Sequence, residues 1–354
     1  MAEYFLGLDI GSVSIKLALL EGDTLTAKAY LKNQGLIPTI QEGLKQMPKV
    51  QVKGVGVTGS GKEFVSSLVG GDYVDSEVIS HMVAALRKHP DARTIIDVGG
   101  EDSKLMLVNN GVLTDFQMNK TCGAGSGAML ETIASRLGYK IEDVGRIALE
   151  SKEQLALPAK CGIFMQSEVV SQLNKGRPLS DILMGVARAM VTNYLMLAKG
   201  KRLLEPVIFQ GAVAKNQAVA RAFEEALGCP VIIPEYPEFA GAVGIALLTE
   251  EQMNGRKTNF RGEAILAPEY RIEVKQCPDP CPNECELTLL LYQGKVLAVF
   301  GSKCGRWEDA SVLESSLEAH PEQISHRDVN ERSAELINPA YITGSRPSPD
   351  GCPR

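Results

Sequence analysis

Two stretches decide the fold: DIGSVSIKLALL, running from Asp9 to Leu20, and DVGGEDSKLMLV, running from Asp97 to Val108. At an offset of 88 residues, Asp9/Asp97, Gly11/Gly99, Lys16/Lys104, Leu17/Leu105 and Leu19/Leu107 are identical. Each copy is entered by an apolar strand (Tyr4 to Leu8; Thr94 to Ile96). Each passes an Asp-x-Gly turn into a second strand, and a second turn, Gly22-Asp23 or Asn110-Gly111, opens a third. One Asp-x-Gly is common in any chain. Two with matching flanks read as an internal duplication, and so as two related α/β lobes.

Outward from these hairpins, strands alternate with helical patterns. Strands are expected at Val52 to Thr58, Val207 to Phe209 and Val231 to Ile233. Helices are expected at Glu77 to Lys88, Gly127 to Leu137, Ser180 to Lys199 with Ser180 as N-cap, Asn216 to Leu227 closed by Gly228, and Phe239 to Thr249. Such alternation builds a parallel or mixed sheet covered by helices. The expected organisation is a first lobe at 1–90 and a second at 91–252, with helices free to cross between them. A linker at 253–270, a cysteine-bearing module at 271–307 and a polar tail at 308–354 follow.

The 354 residues carry 37 Lys+Arg against 43 Asp+Glu, a net charge of −6, with 44% apolar residues. A chain of this composition buries a real core, and a mildly acidic one without a basic block points away from nucleic acid and anionic membranes. The start has no basic segment followed by an apolar run, and the most apolar long stretch, Ile182 to Ala198, is interrupted by Arg188 and Asn193. The expected location is the cytoplasm.

The turns carry the first chemistry. A strand, an Asp-x-Gly turn and a second strand place main-chain N–H groups around one point, with Ser12 and Ser14 adding donors and Lys16 adding charge. Such a turn cradles terminal phosphates, and its leading carboxylate can hold Mg²⁺ through water. The competing reading is an ordinary hairpin in which Asp and Gly only stabilise the turn. A third glycine cluster, FQGAVAKN (Phe209 to Asn216), sits at a strand end, and a fourth, FAGAVGIAL (Phe239 to Leu247), allows close helix packing.

The order DIGS, DVGGEDSK, NKTCGAGSG, FQGAVAKN, AGAVG resembles the acetate kinase, sugar kinase, chaperone and actin ATPase superfamily, with its paired actin-like (ribonuclease H-like) lobes and nucleotide cleft. Within it the chain most resembles the ATP-dependent activators of 2-hydroxyacyl-CoA dehydratases and the related ATPase subunits of benzoyl-CoA reductase, over roughly residues 1 to 250. That resemblance implies ATP/ADP contacts from Gly11, Ser12, Val13, Ser14, Lys16, Gly99, Gly100, Gly123, Gly125, Gly211, Ala212 and Asn216, with Asp9 and Asp97 near Mg²⁺. The base that activates water is left open among Glu101, Asp102 and Glu131.

Eight cysteines without an export signal suggest ligands rather than disulfides. Cys122 and Cys161 each stand just before a helix, where the helix dipole and free N–H groups favour a thiolate. An inert pair, a disulfide and a Cys nucleophile are the alternatives. A [4Fe–4S] cluster needs four thiolates, and a twofold dimer would supply two pairs. The resemblance implies this shared cluster, a homodimer, a ferredoxin or flavodoxin as electron donor, and an iron–sulfur dehydratase or reductase as partner. It also implies that ATP-driven lobe motion pushes one low-potential electron onto that partner.

Further on, Cys277-Pro-Asp-Pro-Cys281-Pro-Asn-Glu-Cys285 cannot be a continuous helix, because prolines interrupt it. A hairpin at Leu287 to Tyr292 and Val296 to Phe300 returns the chain to Cys304. Four thiolates around a knuckle and a hairpin suit structural Zn²⁺ or a second Fe–S cluster. Cys229 and Cys352 are isolated. The rival functions are a sugar or carboxylate kinase, which gives no reason for cysteines before helices, and an ATP-gated binding module.

Overall fold

The computed structural model describes residues 2–119, 125–159, 161–266, 270–277 and 282–307. Its elements run β1 (Tyr4–Ile10), β2 (Ser14–Glu21), β3 (Thr24–Lys32), α1 (Leu36–Lys45), β4 (Val52–Gly59), α2 (Lys62–Val69), β5 (Tyr73–Val74) and α3 (Glu77–Lys88). There follow β6 (Thr94–Val98), β7 (Ser103–Asn109), β8 (Val112–Met118), α4 (Gly127–Arg136), α5 (Ile141–Ala148), α6 (Gly162–Asn174) and α7 (Leu179–Leu195). The series ends with β9 (Val207–Gln210), α8 (Gln217–Leu227), β10 (Val231–Ile232), α9 (Ala240–Met253), β11 (Tyr270–Gln276), β12 (Glu286–Tyr292) and β13 (Lys295–Phe300).

The duplication read from the sequence is present in the sheets. One has the order β3-β2-β1-β4-β5 and the other, read from the same end, β8-β7-β6-β9-β10. In both, the first three strands are antiparallel and the last two join in parallel, so this is an α/β fold with two mixed sheets. The correspondence reaches single bonds. A register shift falls at Leu19/Leu20 and again at Leu107/Val108, and Thr26 and Thr114 each donate to the carbonyl of Leu19 and Leu107 over 3.0 Å. A bulge pinned by a threonine at equivalent places bends both outer hairpins alike.

Two compact units divide the chain: 1–77 with 245–354, and 78–244. The division falls inside α3 and α9 rather than at 90 and 252. The first unit is built on the aliphatic residues of β1, β2, β4, α1 and α2, joined by Ile265, Tyr270, Leu290 and Ala298. In the second, α7 is buried among α4, α5, α6 and α8 against β6 and β9. No described helix is long and apolar enough to cross a membrane.

Helix ends differ from the sequence reading most in α9, which runs on to Met253 past Thr249, and in α7. Helix α7 begins at Leu179 with Pro178, not Ser180, at the N-cap. Pro178 has no N–H to lose there, and the nearby Asp181 turns its carboxylate onto the loop that follows α5, accepting from Ser151 Oγ and the N–H groups of Lys152 and Glu153. The segment read as a linker is strapped to the first unit. Thr258 and the N–H of Asn259 donate to Asp72, and Arg261 donates to the carbonyls of Ser67 and Leu68. A short third sheet, β11-β12-β13, follows it, and its first strand, β11, is an addition to the hairpin expected there.

Candidate functional site

In the first unit, Asp9 is the penultimate residue of β1 and faces Lys16 across the hairpin, with Nζ 3.3 Å from Oδ2. The Gly11 N–H donates to the Ser14 carbonyl over 3.1 Å, and a Cβ on Gly11 would come within 2.8 Å of that oxygen. Asn33 braces the turn, donating through its amide to the Gly11 carbonyl and through its N–H to Val13. Ser14 is buried and Ser12 exposed at the tip. At the end of β4, Gly59 adopts φ +92° directly against the main chain of Ile10, a position that excludes any side chain.

The second unit repeats this construction. Asp97, on β6, faces Lys104, and the Gly99 N–H donates to the Asp102 carbonyl over 2.9 Å. Lys104 Nζ lies 4.0 Å from Asp97 Oδ1 and 2.9 Å from Asp102 Oδ2. At the end of β9, Gly211 (φ +87°) lies against the main chain of Val98 as Gly59 lies against Ile10. What the second unit adds is a buried brace: His81 Nδ1 of α3 stands 2.5 Å from Asp97 Oδ2, and Gln210 donates to the His81 carbonyl over 3.1 Å. The turn is also joined to α4, whose Gly127 and Ala128 N–H groups donate to the carbonyls of Gly99 and Gly100. These otherwise unpaired first N–H groups of a helix hold the turn in place.

The cysteine-bearing segments are tied to the same turn. Cys122 lies outside the described residues, but its flanks do not. Asn119 Oδ1 accepts from the Ser103 N–H over 2.7 Å, and Ser103 Oγ donates to the Gly125 carbonyl over 2.9 Å. Ser103 directly follows Asp102. Cys161 is the N-cap of α6, a free thiol followed by exposed Ile163 and Phe164. Two residues ahead of it, the Ala159 carbonyl accepts from Asn193 Nδ2 over 2.7 Å. Asn193 also lies against Gly125, so close that a Cβ there would meet Asn193 Oδ1 at 2.9 Å. The next residue, Tyr194, donates to the Lys104 carbonyl over 2.6 Å. Its phenol is pushed well above its ordinary pKa, by burial first and by the Asp97 carboxylate second. Two successive residues of α7 thus join both cysteine segments to the second hairpin.

Sequence reasoning alone does not single out Asn193, Tyr194 or His81 as functional. The only signal is a polar pair interrupting an apolar helix. Asn216 serves as the N-cap of α8, accepting from the N–H groups of Ala218 and Val219. Ala212 begins the short 3-10 turn between Gly211 and that cap. Of the candidate bases, Asp102 is ion-paired with Lys104, while Glu101 in the turn and Glu131 on α4 are exposed. Gly123 and Cys281, like Cys122, lie outside the described residues. Among the described residues no three His, Cys, Asp or Glu side chains gather into a metal-binding group. Cys161 nevertheless fits one of the four thiolates such a cluster needs: it is not disulfide-bonded, and it sits at a helix N-terminus beside exposed Ile163 and Phe164.

The profile of the BadF/BadG/BcrA/BcrD ATPase family matches residues 6–249. The chain belongs to this family. It is 34% identical over 254 residues to the (R)-2-hydroxyglutaryl-CoA dehydratase activating ATPase of Acidaminococcus fermentans, covering 70% of this chain and 97% of that one. It is 25% identical over 268 residues to a subunit of benzoyl-CoA reductase from Thauera aromatica, covering 68% of this chain and 91% of that one. Among solved structures, the activator of the 2-hydroxyisocaproyl-CoA dehydratase from Clostridium difficile with bound ADPNP superposes with a TM-score of 0.66 at 29% identity, over 70% of this chain and 95% of the other. The family match stops short of β11, β12 and β13.

Proposed function

We propose that this BadF/BadG/BcrA/BcrD-type ATPase is the electron-delivering component of an ATP-dependent reductase system, acting as a homodimer on a dehydratase or reductase that carries its own Fe–S centre. The observation that carries the reading is the linkage of both cysteine segments to the second Asp-x-Gly turn through Ser103, Asn193 and Tyr194. A sugar or carboxylate kinase gives no reason for cysteines to stand before the two helices. The ADPNP-bound relative supports ATP as the nucleotide.

In this reading each unit carries its own part of the phosphate machinery. The first supplies the N–H groups and hydroxyls around Gly11, Ser12, Val13 and Ser14, with Lys16 as cation and Asp9 as a carboxylate for hydrated Mg²⁺. The second supplies Gly99, Gly100, Gly125, Gly211 and Ala212, with Asp97 held by His81 and Lys104. Cys122 and Cys161 of two chains would hold a [4Fe–4S] cluster, which supplies a one-electron store at low potential. The chain's own part is to relay the occupancy of its phosphate turn. A shift of the Gly99–Asp102 turn moves Ser103 and the Lys104 carbonyl, and with them the anchors of both cysteine segments. Ferredoxin or flavodoxin would recharge the protein, and ATP hydrolysis makes delivery one-way.

Anaerobically purified protein should be brown, with about two irons per chain if one four-iron cluster is shared by two chains. It should hydrolyse Mg-ATP and transfer an electron to a partner only while doing so. A colourless, iron-free protein that phosphorylates a sugar or carboxylate overturns the proposal.

A further inference from the structure

The sheet formed by β11, β12 and β13 lies beyond the family match, which ends at residue 249. Its two faces do different work. Leu290 of β12 and Ala298 of β13 join the core of the first unit, and Phe300 packs on Phe64 of α2 with ring centroids 5.3 Å apart. Leu287, Leu289 and Leu291 alternate to the other face, as strand geometry requires. There they form a separate small core with Val299, Trp307 and Cys285, and Cys277 packs against it. Six buried side chains, four of them on β12 and β13, are far too few to hold a folded module by themselves.

The edge of that small core is lined with sulfur. The Cys277 N–H donates to the Cys285 carbonyl over 2.7 Å, which brings the two cysteines side by side. Both sulfurs accept from nitrogen: Cys285 Sγ from the Lys303 N–H over 3.4 Å, and Cys277 Sγ from the Trp307 indole over 3.2 Å. N–H groups aimed at the sulfur of a metal ligand fix its orientation. Cys304 follows Lys303 directly. It is exposed, and it lies between Gly301 (φ +91°) and Gly305 (φ +77°).

We propose that Cys277, Cys281, Cys285 and Cys304 bind one structural Zn²⁺ in a closed four-thiolate site that staples this added sheet to itself. Cys281, outside the described residues, enters through the sequence, midway between Cys277 and Cys285. The main chain already brings Cys304 to this edge, directly after the Lys303 N–H that meets Cys285 Sγ. Each Zn–S bond forms as a thiol proton leaves to solvent, so four thiols lose four protons with no oxidation or reduction. Zinc suits the place because it takes four thiolates tetrahedrally, leaves no open position and supplies folding energy to a core too small for itself. The site is independent of the cluster assigned to Cys122 and Cys161.

The test is elemental analysis of the full-length protein, purified anaerobically and loaded with equimolar zinc under reducing conditions. Wild type should hold about one zinc per chain. Cys281→Ser and Cys304→Ser should lose it, and Cys229→Ser should keep it. Burial pushes the Cys229 thiol up, so it serves as a bystander. If Cys281→Ser does not fold, two measurements decide the matter. Zinc should shield four thiols of wild type from alkylation, mapped to these positions, and cobalt in place of zinc should give thiolate charge-transfer bands that Cys304→Ser lacks. Cys161→Ser should lose iron and keep zinc, which separates this site from the proposed function. A wild type that takes up no zinc, a Cys304→Ser variant that retains all of it, or iron found on these four thiols overturns the proposal.

Discussion

Tyr194 Oη and the main-chain oxygen of Lys104 are 2.6 Å apart, joining the buried helix α7 to the strand that carries the second turn's lysine. Tyr194→Phe keeps the ring, which meets Phe223 edge-on at 5.2 Å, and removes only this bond. The expected cost is about 1–2 kcal/mol in a urea titration. Because the folded pKa of this phenol is raised, its stabilisation is complete below the unfolded value of about 10 and is lost as pH rises through the folded one. Wild type and variant should therefore converge in strong alkali. Electron delivery per ATP should fall in the variant while ATP binding changes little.

Asp181 works on the acid side. Three donors hold its carboxylate below the ordinary range, chiefly the Glu153 N–H, with the Ser151 hydroxyl and the Lys152 N–H assisting against burial. A depressed folded pKa gives stability that is present above the unfolded value of about 4 and lost as pH falls through the folded one. Asp181→Asn should destabilise by about 1–3 kcal/mol at neutral pH, and the gap should close in acid, measured by denaturation at a series of pH values.

Gly59 and Gly211 occupy equivalent places, each with positive φ and each against main-chain atoms of the strand beside it. Alanine at either should cost at least about 1–3 kcal/mol from strained backbone alone, with overlap adding to it. Gly22→Ala serves as a comparison, since its φ is also positive but nothing lies near its Cβ. A much smaller loss there would separate overlap from conformational strain, and equal losses at all three would show that overlap matters little.

Asp9→Asn and Asp97→Asn should each lower Mg-ATP turnover about a hundredfold, the scale for losing one charge-stabilising group in a phosphoryl-transfer site. Circular dichroism should remain that of wild type. Unchanged turnover in either variant would remove that carboxylate from the nucleotide site.

Cys161→Ser should lose iron and weaken the dimer together, because a cluster shared between chains is also a cross-link. Light scattering should show more monomer, with exposed Ile163 and Phe164 left without their cover. A full iron complement and an unchanged dimer would reject the shared site.

The duplication was legible because the turn residues are chemically narrow: Asp, Gly and Lys at fixed positions admit few backbones, and the offset of 88 repeats them. The Gly228 stop was legible for the same reason. The boundaries between units were not, since α3 and α9 are continuous helices and the sequence has no break where the compact units divide. Strand β11 does leave a mark, Tyr270, Ile272 and Val274 alternating with Arg271, Glu273 and Lys275 at the period of a strand, and the expected hairpin did not include it. The wiring of the cysteine segments was hidden differently. Asn193 and Tyr194 act on main-chain carbonyls far away in sequence, and a carbonyl leaves no mark in an amino-acid string.

Ser103 holds Asn119 and Gly125 at once, so the stretch of chain from one to the other begins and ends on the same short bracket. Two residues fastened to one bracket move as a pair: a displacement of Ser103 reaches both with the same size and sign. A movement of the second turn at Ser103 therefore arrives at Asn119 and at the Gly125 carbonyl together.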